Sequence, residues 1–202
     1  MRALILAGGG LKVGYQAGCL QVLLDEVKLD FNLIDAASGG CFNAAMLCNG
    51  MTGTQIAEAW RSMNPMDFVS LDFAQLARGP WARSINSSRG LRERVFPHWG
   101  FDFERIRSYA KAEVRFNYFD FTSKRVVVLS HTQLTADYLC ATVALPMWFP
   151  PVIVHSNTLF DAVYCTDANV DEVLARKPQE IWAIWTVARA ADYRDGPLVC
   201  CA

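Results

Sequence analysis

The chain has 202 residues, 52% of them hydrophobic, enough to bury the continuous core of one large domain. Nineteen basic residues against twenty acidic ones leave a formal net charge of −1. No whole-molecule field therefore selects nucleic acid or bulk anionic membrane, and any charge preference must be local.

The elements follow in chain order. Arg2 to Ala7 reads as a short buried strand, followed by a glycine turn and a segment whose Leu20, Leu23, Leu24 and Val27 recur at helical spacing. Phe31 to Ala37 is a second strand that runs into a turn at Ser38, and Cys41 to Cys48 is too apolar all round for a surface helix, so it is expected to be buried. Thr54 to Met63 can form a further helix. Residues 64–100 are irregular, rich in aromatics and methionine, and punctuated by Pro65, Pro80 and Pro97. Glu113 to Asp120 and Arg125 to Leu129 flank "FTSK" as a hairpin, and Leu134 to Val143 can form a helix that stops before Pro146. "FPPVIV", "HSNT" and "LFDAV" suggest short strands and a loop, and Glu180 to Val187 reads as a continuous buried strand. Alternating strands and helices predict a single α/β domain over residues 1–202, with three layers and a mainly parallel central sheet carrying one antiparallel hairpin.

No run approaches the ~18 apolar residues of a membrane span, and "MRALILAGGG" is too short an apolar opening for a signal peptide. The expectation is a cytoplasmic protein for which peripheral membrane contact stays open. Seven cysteines, an odd number set mostly in apolar segments, read as reduced thiols, with Cys200 and Cys201 in a frayed end rather than an acylated tail. No CxxC or HxxxH spacing occurs, and His98, His131 and His155 lie far apart, so no metal or other cofactor is expected.

Two turns carry the chemistry. In "LAGGGLKVG", Gly8, Gly9 and Gly10 end a strand and Gly14 opens a helix, so several backbone amides can converge on one negative centre. That centre is either a dinucleotide phosphate, with Asp35 as the acid for a ribose, or the oxyanion of an acyl transfer. In "LIDAASGGCFNAA", Ser38 sits between small residues where a strand meets a helix, the setting of a nucleophile elbow, although Ala36 replaces the first glycine of GxSxG. From this turn alone Ser38 is equally well read as a helix N-cap. Cys41 is a weaker candidate nucleophile one turn into the helix.

Taken together, three blocks resemble the patatin-like phospholipase family over nearly the whole chain. "GGGLKVGYQAGCL" is similar to its glycine-rich loop and following helix, "AASGGCFNAA" to its serine elbow, and "DAVYCTDANVDEV" to its aspartate loop, with "ATVALPMWFPPV" resembling the segment before that loop. The resemblance implies a serine/aspartate dyad without histidine. Ser38 would be the nucleophile, Asp161 its base, and the amides of Gly8, Gly9 and Gly10 the oxyanion donors, acting on phospholipid or another acyl lipid. Four positions depart from the family pattern: Val13, Ala36, Ala162 and Val163. Val13 matters most, because a β-branched residue resists a positive φ, and Gly14 would have to serve instead if the loop needs one there.

Residues 64–100 then acquire a role as a lid or lipid-contact insertion. Trp60, Met63, Met66, Phe68, Val69, Leu71, Phe73 and Trp81 would enter the acyl boundary, and Arg83, Arg89, Arg92 and Arg94 would meet headgroup phosphate. An ordinary satellite core under a long loop is the alternative reading. Met147, Trp148 and Phe149 would line an acyl pocket or pack beneath it.

Overall fold

A computed structural model describes residues 1–187; Cys200 and Cys201 lie outside the described residues. Strand β1, Arg2–Leu6, feeds a 3-10 turn at Gly10–Val13 and helix α1, Gly14–Leu20, which continues as a wider turn through Gln21–Glu26. Strand β2, Leu33–Ala36, leads through the Ser38 turn into α2, Gly40–Cys48, every residue of which is buried as its all-round apolar sequence requires. Helix α3, Gly53–Ser62, opens with a capping box between Thr52 and Gln55.

The middle of the chain holds only short helices: α4, Phe73–Leu76; α5, Phe96–His98; and α6, Phe103–Arg107. Strands β3, Glu113–Asp120, and β4, Arg125–Ser130, form the expected hairpin, and α7, Ala136–Thr142, ends well before Pro146. A second hairpin, β5 at Val152–Val154 and β6 at Asn157–Phe160, precedes α8, Val170–Leu174, and β7, Glu180–Ile184.

The sheet order is β5-β6-β3-β2-β1-β7, with β4 also on β3. The run β3-β2-β1-β7 is parallel throughout. Beyond β3 every pairing is antiparallel, so this part holds two hairpins rather than one. A strand has two edges. Because β4 covers Arg115 to Asp120 of β3, the partners β2 and β6 must share the other edge end to end.

The last strand departs from expectation. β7 pairs only with β1 among the described residues and is mostly exposed along its length, so the run "EIWAIWTV" holds a strand that ends at Ile184 and lies at an edge of the described sheet rather than being continuously buried. Its apolar run could not show which strand would lie at the edge, since that depends on partners distant in sequence.

Residues alternate across the sheet. Leu4, Leu6, Ile34 and Ala36 join the large core with α1, α2, α3 and α7, whereas Ala3, Ile5 and Leu33 form a smaller cluster with Ala168 and with Val173 of α8. Helices therefore cover both faces, and this three-layer arrangement sets Asp35 on the α8 side of β2.

Residues 64–100 divide between the two readings of them. Met63, Phe68, Leu91, Val95, Phe96 and Trp99 belong to the main core, where Phe42, Trp60, Phe68 and Trp99 pack ring against ring at centroid distances of 5.0 to 6.1 Å. Met66, Leu71, Phe73 and Trp81 are exposed, Trp81 by 85%. Arg89, Arg92 and Arg94 pair with Glu93, Asp137 and Asp67, which leaves Arg83 the only one of the four expected headgroup arginines without an acidic partner among the described residues.

Candidate active site

The serine turn is built by close backbone approach. Gly39 and Gly40 lie so near β1 and the glycine loop that a Cβ would stand 2.5 Å from the Gly10 carbonyl oxygen and 2.3 Å from that of Leu6, respectively. Only hydrogen fits at either position. Ala36 is different, because it is an ordinary fully buried residue of β2 in register with Leu6, where a methyl group is accommodated. Ser38 itself sits at φ 46°, a left-handed conformation that is costly for a serine and is held here by the packed turn around it.

That strain directs the side chain away from the helix it precedes. Helix α2 is capped by Gly39 with no side-chain hydrogen bond, so Ser38 is not the N-cap. Its hydroxyl donates instead to Asp161 Oδ2 at 2.6 Å, across 123 residues of sequence. The other carboxylate oxygen, Asp161 Oδ1, accepts from the Val163 amide at 3.0 Å, and the Asp161 amide donates to the Ala144 carbonyl at 3.1 Å. Ala162 and Val163 thus stand where the family has glycines without disturbing the carboxylate, since Val163 supplies the same main-chain donor any residue would. Both Ser38 and Asp161 are buried. Burial pushes the Asp161 carboxyl up to about 7, against the opposing pull of the Ser38 hydroxyl and the Val163 amide.

The thiol of Cys41 and the three histidines take no part in this contact. Cys41 is fully buried, its thiol donates to the Ala36 carbonyl at 3.4 Å, and burial drives its pKa far up. His98 meets Ser62, His131 lies between Val114 and Tyr109, and His155 turns the β5–β6 hairpin; none reaches Ser38. Among the described residues no group of three or more His, Cys, Asp or Glu side chains is placed to hold a metal ion.

The glycine loop lies against this turn, with a Cβ built on Gly8 only 3.0 Å from that of Ser38. Of the three amides expected to face an oxyanion, Gly8's is taken by the Asp167 carbonyl at 2.8 Å, and Thr186 Oγ1 donates to the Gly8 carbonyl at 2.6 Å. Gly8 is therefore an anchor and cannot also be a donor. The amides of Gly9 and Gly10, at the open start of the 3-10 turn, make no hydrogen bond among the described residues. Val13 needs no unusual backbone: it lies at φ −64°, fully buried, while Gly10 takes the positive φ of 58°. The β-branched side chain instead packs onto the serine turn, its two methyl carbons 3.1 and 3.2 Å from the Cβ position of Gly39.

Asp35 does not serve a ribose. It is fully buried under Asn169, whose Nδ2 donates to Asp35 Oδ1 at 2.8 Å, and Arg115 Nε lies 3.5 Å from Oδ2. Burial pushes its carboxyl up to about 7, with Asn169 and Arg115 pulling the other way. A dinucleotide would find neither this acid nor the Gly8 amide available, so that use of the glycine turn is corrected.

Sequence reasoning missed the supports of the site: Asp167 and Thr186 on Gly8, Asn169 beside Asp35, and Gln16 beside the loop. Single polar residues in unremarkable settings carry no signal until the fold brings them together.

Two grooves open elsewhere on the surface. One of about 350 Å³ runs between α1 and α3 and is lined mainly by apolar groups including Leu11, Ala57, Trp60, Met63 and Phe68. The other, about 580 Å³, lies among Asn49, Gln55, Glu58, Trp99 and Arg105. Neither contains Ser38 or Asp161.

A three-layer α/β fold with a strained serine turn set against a buried carboxylate defines a class of protein in which strand ends present both groups. Within it, the family model described as patatin-like phospholipase matches residues 4–174, and the chain belongs to that family. The crystal structure of VipD from Legionella pneumophila is similar in fold, with a TM-score of 0.55 at 14% sequence identity over 83% of this chain. The chain spans about half of VipD, covering 46% of it. No curated protein sequence matches the chain.

Proposed function

We propose that the protein is a lipid acyl hydrolase of phospholipase A type, using Ser38 as nucleophile and Asp161 as its base. The observation that carries this reading is the 2.6 Å hydrogen bond from Ser38 to a carboxylate whose pKa is lifted to about 7, at a turn whose strain leaves the hydroxyl no capping role. Family membership supports lipid esters as the substrate class.

Ser38 Oγ attacks the ester carbonyl carbon as its proton passes to Asp161 Oδ2, and the carbonyl oxygen becomes an oxyanion. The free amides of Gly9 and Gly10 receive that charge, Gly8 holding the loop in place behind them. Collapse of the intermediate expels the alcohol, which takes the proton from Asp161. Water then attacks the acyl carbon as its proton passes to the same carboxylate, and collapse releases the fatty acid as Ser38 Oγ takes that proton back from Asp161. A carboxyl raised to about 7 is a stronger base than an ordinary aspartate while still partly ionised at neutral pH, so it takes up the serine proton more readily.

Residues 1–202 act as one domain in this reading, and the outer half of 64–100 is its lipid-facing part. Leu71, Phe73, Trp81, Met147 and Trp148 are exposed apolar groups, and main-chain hydrogen bonds from Ile85 to Met147 and from Asn86 to Trp148 tie the two segments together. Exposed Arg78 and Arg83 lie on the same stretch, suiting contact with lipid headgroups. Among the described residues no helix is long and apolar enough to cross a membrane.

Labelling with a fluorophosphonate probe tests the assignment. Wild type should be labelled and should release fatty acid from a phospholipid or a soluble ester. Ser38→Ala should do neither, with turnover down about a thousandfold or more. Undiminished labelling of Ser38→Ala would remove Ser38 from the mechanism.

A further inference from the structure

The serine turn and the glycine loop are remote in sequence, and one side chain in α2 ties them together. Asn43 is fully buried in a helix that is otherwise apolar. Its Nδ2 donates to the Val13 carbonyl and to Gln16 Oε1, each at 3.0 Å, and its Oδ1 accepts from Trp60 Nε1 at 2.7 Å. Gln16, also fully buried, passes the chain on: its Nε2 donates to the carbonyls of Ala7 at 2.7 Å and Ile184 at 3.2 Å. The bonds reach Ala7 just before the glycine run and Val13 at the end of its 3-10 turn, so the two amides hold the loop at both ends.

Three consecutive glycines have no side chains to fix them, and Gly10 occupies a conformation that glycine shares with many others. The geometry of such a loop has to be imposed from its ends. At the first end Asp167 and Thr186 grip Gly8; at the other, Asn43 grips Val13. Burying two amides costs free energy unless their polar atoms are bonded, and here both protons of Asn43 Nδ2 and both of Gln16 Nε2 are used. An apolar residue could fill the volume of Asn43 but would leave the Val13 carbonyl without this donor.

We propose that Asn43, backed by Gln16, is a positioning residue that sets the distance between the Ser38 turn and the oxyanion amides of Gly9 and Gly10. The proposal rests on the hydrolase reading above, because it gives those amides a task. Asn43 touches no reacting atom. It acts by holding Val13, which packs on Gly39 next to the nucleophile.

The test uses the full chain with Asn43→Ala and Trp60→Phe, the second removing the donor to Asn43 Oδ1 while keeping a smaller aromatic ring beside Phe68 and Trp99. A soluble p-nitrophenyl ester gives kcat and KM, a trifluoromethyl ketone reads affinity for a tetrahedral oxyanion, and amide hydrogen exchange reads the loop directly. Expected for Asn43→Ala is a fall in kcat on the order of a hundredfold with KM little changed. Ketone affinity should fall in proportion, and exchange should quicken at residues 8–14. Trp60→Phe should move all three in the same direction by about tenfold or less, and decides the matter if Asn43→Ala does not fold. A lowered melting temperature with kcat, ketone affinity and loop exchange unchanged would mean a purely structural role and overturn the proposal. An active wild type with unaffected variants overturns this proposal alone; a wild type that is neither labelled nor active overturns the hydrolase reading with it.

Discussion

Ser38 Oγ donates to Asp161 Oδ2 at 2.6 Å, and the only other side-chain contact of that carboxylate among the described hydrogen bonds is the Val163 amide. Among the described residues no cation lies against the pair, so its two hydrogen bonds only partly offset the cost of burying the charge. The carboxyl is raised to about 7 for that reason.

The pH dependence of catalysis follows. The proposed mechanism needs Asp161 ionised, so kcat/KM should rise about tenfold per pH unit on the acid side and level off above an apparent pKa near 7. Asp161→Asn should keep the fold and lose turnover at every pH. A pH profile already flat from pH 5 upward would rule out a base with the raised value, and turnover retained by Asp161→Asn would rule out Asp161 as the base.

Stability should run the opposite way. Asp161 and Asp35 both carry folded-state values of about 7 against an ordinary aspartate value of 3.8, so between these values the native state binds more protons than the unfolded one. The stability they contribute is complete below about pH 4 and is lost as pH rises through 7, by an amount on the order of 4 kcal/mol per group at most. Asp161→Asn removes one of the two titrations, so its unfolding free energy should fall less steeply than that of wild type from pH 5 to 8. Chemical denaturation across that range measures the difference; parallel curves would count against the raised value.

Glycine at the serine turn is needed at some positions and not at others. Ala36→Gly restores the commoner motif but should leave kcat within about twofold while costing roughly 0.5–1 kcal/mol of strand stability. Gly39→Ala should cost about 1–3 kcal/mol and most of the activity, because its Cβ meets the Gly10 carbonyl at 2.5 Å. Thermal unfolding together with ester hydrolysis separates the two; a tolerated Gly39→Ala would mean the turn can open without harm.

The exposed apolar residues near 64–100 should matter only at an interface. Phe73→Ala and Trp81→Ala should weaken binding to vesicles of mixed zwitterionic and anionic phospholipid and slow hydrolysis there severalfold, while a soluble ester is turned over as before. Arg78→Ala with Arg83→Ala should reduce the dependence on anionic lipid, and added salt should do the same. Equal losses on soluble ester and vesicles would argue for a structural role in place of a lipid-facing one.

Much of the framework was legible from residue patterns. The β3–β4 hairpin, the buried α2 and the strand–turn–helix units around Gly8 and Ser38 carry local signals: β-branched runs, an all-apolar helix, and glycines where a backbone must turn. The role of residues 64–100 was not legible, because Phe68 in the core and Phe73 in solvent are chemically alike and differ only in what the fold places beside them. The edge position of β7 was hidden for the same reason.

By itself, the sequence determined which groups could do chemistry: a serine flanked by residues small enough for a tight turn, a run of glycines able to expose amides, and an aspartate in a short loop. Only the tertiary structure decided their parts. It turned Ser38 away from its helix toward Asp161, spent the Gly8 amide on Asp167, hid Asp35 beneath Asn169, and gave Val13 an ordinary backbone with a packing task against Gly39. Side-chain identity is a property of one position, whereas a hydrogen bond, a desolvated carboxyl or a contact across 123 residues exists only once distant segments share the same space.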